Sequence, residues 1–194
     1  MIFNRISPLI ERLIPKEQAG FMERLSCTDH VLSLTNFVEQ GCQKKIKTDV
    51  AFIDLMAAYG TIWKKGLMYK LMKTIRCRRL CDFIMTFLSD RYICVYNGLP
   101  QGSVLACTLF NLYIHDLPGS AARKFIYADD KAYAYQARSL RTISRVLTRD
   151  LKSYTEYCRH WRLVPSESKT VTCSFHLDNG QMDAELLTWY SAPS

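Results

Sequence analysis

The alternation of apolar and polar positions along the chain predicts several short strands. The segment 48–55, TDVAFIDL, is short, apolar and rich in β-forming residues, which is typical of a buried strand. Residues 124–128 and 131–136 flank two adjacent acids, Asp129 and Asp130, and therefore predict a β-hairpin with the acidic pair at its turn. Two further strands are predicted, at residues 91–96 and 170–175.

Longer segments with a helical spacing of apolar residues separate these strands. Asp29 is predicted to cap a helix that continues to about Lys47, and a second amphipathic pattern covers residues 140–161. Prolines break residues 1–21, which predicts a loop with short helical pieces. The apolar stripe of the helix capped by Asp29 consists of Val31, Leu32, Leu34, Phe37 and Val38. The remaining predicted helices are 57–75, 77–90 and 104–117. Strands and helices mixed in this way predict an α+β sheet with helices packed on one face.

Composition narrows the choice of partners and of cellular location. The chain has 194 residues, of which 48% are hydrophobic, and this is enough to bury one sizeable core. Its 26 basic and 18 acidic residues leave a formal net charge of +8, which favours polyanionic partners such as nucleic acid or an anionic membrane. No apolar run approaches the roughly 18 residues that a membrane span needs, and the N-terminus does not have the pattern of a signal peptide. We therefore expect an intracellular protein of the nucleus or cytoplasm, with reduced cysteines and no membrane partner.

One basic stretch is a candidate surface for nucleic acid. Seven lysines and arginines fall within the sixteen residues 64–79, which contain no acid. Such clusters bind phosphates without reading the base sequence, whereas the alternative is an ordinary solvated helix face. The predicted nucleic-acid contacts are Lys64, Lys65, Lys70, Lys73 and Arg76.

Three carboxylates are the strongest candidates for chemistry. Asp54 ends the apolar strand AFIDL, and Asp129 and Asp130 are adjacent in FIYADDKAYAY. A charge in an apolar strand is usually paired or bound to a metal, and a divalent cation would relieve the mutual repulsion of converging carboxylates. Two such ions can hold the attacking and leaving oxygens of a phosphoryl transfer. The residues alone leave an alternative, in which Asp129 and Asp130 are ordinary turn residues and Asp54 is a helix cap.

Longer motifs around these acids resemble the palm motifs of reverse transcriptases. The segments FIDLMAAYGTIW, NGLPQGSVLACTLFNLYIHDLP and KFIYADD occur in the family's order, with ERLIPKEQAGF upstream and WRLVPSESKT downstream. The resemblance extends over nearly the whole chain and is closest to non-LTR retrotransposons of the LINE type, in particular jockey-like elements. It implies an RNA-directed DNA polymerase that copies an RNA template from a DNA primer with deoxynucleoside triphosphates.

The resemblance also implies how the carboxylates and one tyrosine act. In that family the positions matching Asp54, Asp129 and Asp130 are the catalytic residues and bind two magnesium ions, for which manganese is a substitute. The position matching Tyr59 packs under the incoming sugar, where a bulky ring excludes a 2′-hydroxyl, and a simple core tyrosine is the alternative here.

Three more positions are expected to contact the substrate. Gln101, in the loop NGLPQGS, can hydrogen-bond a nucleotide or a template base, and Gly102 allows close backbone approach. Lys169 matches a family lysine near the triphosphate, where a cation would steady the leaving pyrophosphate. A solvated surface lysine is the alternative for this position.

The domain organisation that the resemblance implies is incomplete. We expect a partial fingers region at residues 1–47, a palm at 48–176 and a C-terminal tail at 177–194, with the thumb missing or rudimentary. Lys131 follows the acidic pair where the family prefers an apolar residue, and the segment 91–97 is shorter than the usual hairpin. These departures predict a truncated or degenerate copy. Two alternatives to an active polymerase therefore stay open, a non-catalytic nucleic-acid-binding remnant and a relic without function.

Overall fold

Helices and strands are mixed along the chain. The structure is a computed structural model that describes residues 3–22, 25–75, 77–89, 97–100 and 102–177. The helices are α1 (Phe3–Glu11), α2 (Cys27–Gln43), α3 (Lys64–Thr74), α4 (Arg78–Ser89), α5 (Val104–Ile114) and α6 (Leu140–His160). The strands are β1 (Lys47–Ile53), β2 (Arg123–Tyr127), β3 (Asp130–Ala137) and β4 (Val171–Phe175). Their order is α1-α2-β1-α3-α4-α5-β2-β3-α6-β4, which confirms the α+β class. Among the described helices, none is long and apolar enough to cross a membrane.

The strands form one antiparallel sheet in the order β2-β3-β1-β4. β2 and β3 make the predicted hairpin, with Tyr127 opposite Asp130. β1 lies beside β3 with Ile53 opposite Lys131. Because Asp54 directly follows Ile53, the register places Asp54 at the same end of the sheet as the hairpin turn.

Most of the predicted elements are present with slightly different ends. The predicted strands at 48–55 and 170–175 are confirmed as β1 and β4, and the predicted helices at 77–90, 104–117 and 140–161 are confirmed as α4, α5 and α6. The prediction of a short helical piece near the N-terminus is confirmed by α1. The predicted strand at 91–96 lies outside the described residues.

The predicted helix at 57–75 is wrong for residues 57–63. Helix α3 begins only at Lys64, because the preceding residues form turns that bind the loop at 97–100. Gly98 and Leu99 donate backbone hydrogen bonds to the carbonyls of Ile62 and Tyr59, at 2.8 and 2.7 Å. Gly98 has a φ of +99°, and a Cβ atom there would lie 2.8 Å from the carbonyl oxygen of Gly60. The two loops therefore approach so closely that only glycine fits at position 98.

The start of α2 also differs from the prediction. Ser26 is the N-cap, and Asp29 is the third residue of the helix, whose Oδ2 accepts a 2.7 Å hydrogen bond from the Ser26 backbone N–H. The sequence therefore contains a capping box, and the cap was predicted three residues too late. The apolar stripe is also narrower than predicted, since Val31 and Leu32 are each 58% exposed.

The sheet carries helices on both faces, so the prediction of helices on one face is wrong for α2. On one face, Ala51, Ile53 and Tyr133 join a large core with α6 and the helices α1, α3, α4 and α5. On the other face, α2 packs its side chains on a small apolar patch of the sheet. This smaller core consists of Val50, Phe125, Ala132 and Ala134, covered by Leu34, Phe37 and Val38, with Phe52 beside them. Alternating side chains along β1 and β3 explain how two strands serve both cores.

Candidate active site

Three carboxylates lie at one end of the sheet, which we call the acidic rim and define as Asp54, Asp129 and Asp130. Asp54 follows β1, Asp129 lies in the hairpin turn, and Asp130 is the first residue of β3. Burial raises the pKa of Asp130, and the charges of Asp129 and Asp54 raise it further. Asp130 is therefore close enough to the other two carboxylates for their charges to act on it, as happens where carboxylates share a site.

A buried polar network braces the hairpin turn of the acidic rim. The turn residue Ala128 has a φ of 57°, a conformation that is costly for a residue with a side chain. Its backbone N–H donates to Oε1 of Gln18 at 3.1 Å, and Oε1 also accepts from the Gly20 N–H at 2.9 Å. Nε2 of Gln18 donates in turn to Asn111 Oδ1 at 3.0 Å. Both side chains are 2% exposed, so this network holds the turn from inside the protein.

Sequence reasoning missed Gln18 and Asn111 as residues of the site. The signal for Asn111 was present, because it is an amide within the mostly apolar helix VLACTLFNLYI. A buried amide is retained only where its hydrogen bonds are satisfied. Its partner across the fold could not be read from the sequence, since the two residues are 93 positions apart.

Lys169 lies directly against the acidic rim. Its Nζ is 2.9 Å from Asp54 Oδ2, and the lysine side chain is 72% exposed whereas that of Asp54 is 19% exposed. This contact with Asp54 raises the pKa of Lys169, and Asp130 and Asp129 add to the effect. The segment that carries the lysine is held to the sheet, because Ser166 donates its backbone N–H to the Asp54 carbonyl at 2.8 Å.

Lys131 approaches the acidic rim from the interior. Its side chain is 2% exposed, and Nζ donates to the backbone carbonyl of Asp129 at 2.9 Å. Burial lowers the pKa of Lys131 to about 8, although Cys158 and the three carboxylates of the rim oppose this shift. Two ammonium groups therefore face the acidic rim, one from solvent and one from the core.

Tyr59 has a buried hydroxyl and a stacked ring. The ring lies on Phe110 with centroids 4.9 Å apart and an interplanar angle of 23°, and Phe21 approaches it edge-on at 6.4 Å. The hydroxyl has no hydrogen-bond partner among the described residues. Burial raises the pKa of Tyr59, and the Cys107 thiol and the Asp129 carboxylate raise it further. Aromatic packing thus holds the ring in place. The hydroxyl lies close enough to the acidic rim for the Asp129 charge to affect its pKa.

The loop NGLPQGS, residues 97–103, carries two other expected substrate contacts, Gln101 and Gly102. Gly102 has a φ of +82°, and a Cβ atom there would meet nothing within 4 Å, so its backbone faces open space. The backbone is thereby accessible to a ligand. Gln101 lies outside the described residues.

The donor set of the acidic rim fits a hard divalent cation in its chemistry, but the side chains are not arranged around one. Carboxylate oxygens are the ligands that magnesium prefers, but the buried Asp54 Oδ2 already has a cationic partner, the Lys169 ammonium 2.9 Å away. Within the part of the chain that the structure describes, however, no three His, Cys, Asp or Glu side chains are close enough together to hold a metal ion. The Asp54 carboxylate is instead paired with Lys169. Metal binding would therefore require Asp54 to exchange this ammonium for the ion.

The structure divides the basic stretch into exposed and buried lysines. Lys65 and Lys73 are exposed on α3, whereas Lys64 is partly buried and donates to the Leu88 carbonyl at 2.9 Å. Lys70 is only 2% exposed, so the prediction that it contacts nucleic acid is wrong. Arg76 lies outside the described residues.

Lys70 instead joins three helices from within. Its Nζ donates to the Tyr113 carbonyl and Asp116 Oδ1, each at 2.5 Å, and to the Tyr157 hydroxyl at 3.0 Å. It also lies 3.6 Å from the centroid of the Trp161 ring, a favourable position for a cation. We call this group, Lys70 with Tyr113, Asp116, Tyr157 and Trp161, the lysine cage.

Sequence comparisons relate the chain to known proteins of one kind. Residues 1–187 match the profile of the family described as reverse transcriptase (RNA-dependent DNA polymerase). The chain is 29% identical, over 91% of its length, to a probable RNA-directed DNA polymerase from transposon BS of Drosophila melanogaster. It is 27% identical, over 90% of its length, to the RNA-directed DNA polymerase from mobile element jockey of Drosophila funebris. The matched region is 22% of each of these relatives, so the chain spans about a fifth of their length.

Proposed function

Because the chain belongs to the reverse transcriptase family, we propose that it is the RNA-directed DNA polymerase domain of a non-LTR retrotransposon. The predicted resemblance to jockey-like elements is confirmed by the relatives. The observation that supports the proposed activity is the acidic rim, because the end of β1 and the β2–β3 turn lie at the same end of the sheet and carry Asp54, Asp129 and Asp130. The proposed partners are an RNA template, a DNA primer and deoxynucleoside triphosphates.

In this proposal the acidic rim is the catalytic and metal-binding group. Its three carboxylates would hold two magnesium ions, or manganese ions in their place, and such ions supply stabilisation of the charge that develops during nucleotidyl transfer. Lys169 is exposed, and in this proposal it leaves Asp54 and neutralises the leaving pyrophosphate. Gln18 and Asn111 are positioning residues, because they hold the turn that carries Asp129.

The remaining residues of the proposal bind the nucleotide and the template. The stacked ring of Tyr59 would form the floor under the incoming sugar, and the accessible backbone at Gly102 would line the same space. Gln101 remains a proposed contact to the nucleotide or template base. Lys65 and Lys73 are the exposed lysines that support a phosphate-binding surface on α3.

We propose that residues 48–176 belong to the palm and residues 1–47 to part of the fingers. The proposed C-terminal tail, residues 177–194, lies outside the described residues apart from Leu177. Helix α2 belongs to the fingers region by this division, but it packs on strands β1 and β2 of the sheet. In particular, α2 forms a core with the sheet that carries the acidic rim. We therefore propose that this helix works as a support of the palm.

Primer extension on an RNA template, with and without magnesium, tests the polymerase proposal. The parent chain should incorporate deoxynucleotides only with the divalent ion, and Asp129→Asn should abolish incorporation while nucleic-acid binding persists. Asp82→Asn is the matched control, because Asp82 is an exposed carboxylate on α4 outside the acidic rim. Activity in the Asp129→Asn variant equal to that of the control would refute the proposal.

One observation favours a second candidate function, a nucleic-acid-binding remnant without catalysis. Two lysines, Lys169 and Lys131, already neutralise part of the acidic rim. In this alternative the chain binds nucleic acid equally well with and without magnesium, and shows no incorporation with either magnesium or manganese. The same primer-extension experiment, combined with a binding measurement, separates the two functions.

A further inference from the structure

The buried lysine of the acidic rim occupies a fixed position. Lys131 lies on β3 opposite Ile53, and its side chain points to the same face of the sheet as that of Tyr133, towards α6. Its Nζ is anchored by the 2.9 Å hydrogen bond to the Asp129 carbonyl and lies 5.8 Å from the centroid of the Tyr154 ring. With 2% of the side chain exposed, the ammonium cannot turn away into solvent.

The two lysines of the rim differ in how easily they can leave it. Lys169 is 72% exposed at the end of a flexible side chain, so an arriving cation can displace it from Asp54 into water. Lys131 cannot be displaced into water in the same way, because burial and the hydrogen bond to the Asp129 carbonyl hold its ammonium below the turn. The charge of Lys131 therefore persists beside Asp129 and Asp130 after Lys169 has moved away.

A fixed positive charge changes what the carboxylates can bind. The Lys131 ammonium is buried 2.9 Å from the Asp129 carbonyl, so its positive charge lies directly below the turn that carries two of the carboxylates. A divalent ion would therefore have to compete with this ammonium for the same negative charges. The ammonium also repels an incoming divalent ion, and charges a few ångström apart in a protein interact strongly even at an effective dielectric constant of about 20. Both effects act in the same direction, against metal binding.

We propose that Lys131 is a built-in counter-cation of the acidic rim that weakens divalent metal binding and so sets the metal requirement of this chain. The inference rests on the proposed function, because it assumes that Asp54, Asp129 and Asp130 form the metal site. It goes beyond that function by assigning the metal affinity to a residue that is not itself a ligand.

Manganese binding to the full chain, followed by the electron paramagnetic resonance signal of the free ion, tests this role without measuring activity. Lys131→Gln removes the charge and keeps a donor for the Asp129 carbonyl, whereas Lys131→Met removes both. Each variant should bind manganese on the order of tenfold more tightly than the parent chain. Lys152→Gln is the matched control, because Lys152 is exposed on α6 and its loss changes the net charge equally.

A second measurement keeps the result independent of folding defects. Thermal unfolding with and without manganese should show a larger metal-induced rise in Tm for Lys131→Gln than for the parent, because tighter binding stabilises the folded state more. The gain in affinity should disappear when Asp129→Asn is added to Lys131→Gln. A gain that persists in this double variant would place the ion elsewhere and overturn the proposal.

The remaining outcomes separate this inference from the proposed function. If the parent binds manganese and both Lys131 variants bind it with the same affinity, the counter-cation role is refuted and the polymerase proposal stands. An equal gain in Lys152→Gln would also refute it, since net charge alone would then explain the change. Binding by the Lys131 variants but not by the parent supports the inference in its strongest form. If no chain binds manganese at millimolar concentration, both proposals fail together.

Discussion

The lysine cage and the acidic rim each bury one lysine. The hydrogen bonds of the lysine in the cage are complete, whereas those of the lysine in the rim are few. Lys70 and Lys131 are both 2% exposed, and burial lowers the pKa of each to about 8. Lys70 donates to three acceptors, including Asp116, and lies on an aromatic ring. Lys131 donates to one backbone carbonyl among the described residues, while the rim carboxylates act on it through space. A group whose bonds are complete holds a fold together, whereas carboxylates whose ammonium partner is the exposed Lys169 can accept another cation in its place.

The largest expected difference between the two regions concerns turnover. Asp54→Asn should lower the polymerase rate by on the order of a hundredfold or more, because an amide lacks the charge that holds a divalent ion. Asp116→Asn, which makes the same chemical change in the lysine cage, should leave the rate per folded molecule nearly unchanged. Single-turnover primer extension, normalised to the folded fraction, measures both. A comparable loss of rate in Asp116→Asn would show that the two regions are not functionally separate.

Stability should show the opposite pattern at the two lysines. Lys70→Met leaves the Tyr113 carbonyl, Asp116 and Tyr157 without their shared donor, so it should lower the free energy of unfolding by roughly 1–3 kcal/mol. Lys131→Met removes a buried charge with a single described hydrogen bond, and should stay within about 1 kcal/mol of the parent. Urea denaturation of both variants tests this. The contrast would be lost if Lys131→Met were the more destabilising change.

The pH dependence of stability should reveal both buried lysines. A lysine whose pKa falls from its ordinary value near 10.4 to about 8 on folding binds fewer protons in the folded state between these values. The free energy of unfolding should therefore rise with pH from about 8 to 10, by on the order of 1 kcal/mol per pH unit for each lysine. Above about pH 10 the buried tyrosines oppose this rise, because burial raises the pKa of groups such as Tyr113 to about 12.

Variants at the two lysines assign this pH dependence. Lys70→Met and Lys131→Met should each flatten the rise between pH 8 and 10, whereas Lys152→Met should not, since Lys152 is exposed. Urea denaturation at a series of pH values provides the measurement. An unchanged slope in both buried-site variants would mean that other groups cause the rise.

The smallest expected effect concerns nucleic-acid binding. Lys65→Ala and Lys73→Ala should each reduce the salt dependence of binding by about one unit of slope on duplex substrates, because each exposed lysine releases counterions from phosphate. The buried Lys70 should not contribute to the salt dependence of binding in this way. Fluorescence anisotropy at several salt concentrations measures the slopes. If the slopes of both variants match that of the parent, α3 is an ordinary solvated face.

The local patterns of the chain were sufficient for most of the elements and misleading where a distant loop intervened. The alternation in TDVAFIDL and the acidic pair between two β-rich segments predicted β1 and the hairpin. The helix predicted from residue 57 begins only at Lys64, because the carbonyls of Tyr59 and Ile62 accept hydrogen bonds from the loop at 97–100. Local propensity contains no information about a partner some 40 residues away.

The sequence by itself determined the family, the order of the motifs and the identity of the three acids of the rim. Only the tertiary structure decided what each lysine does. Lys70 and Lys73 belong to one basic stretch and lie about one helical turn apart, but α5 and α6 cover Lys70 while Lys73 stays exposed. Lys131 comes directly after Asp130 in the chain, yet the pleat of β3 directs it beneath the turn. Burial, not residue type, therefore decides whether a cation binds phosphate, completes a core or competes for carboxylates, and burial is a property of the whole fold.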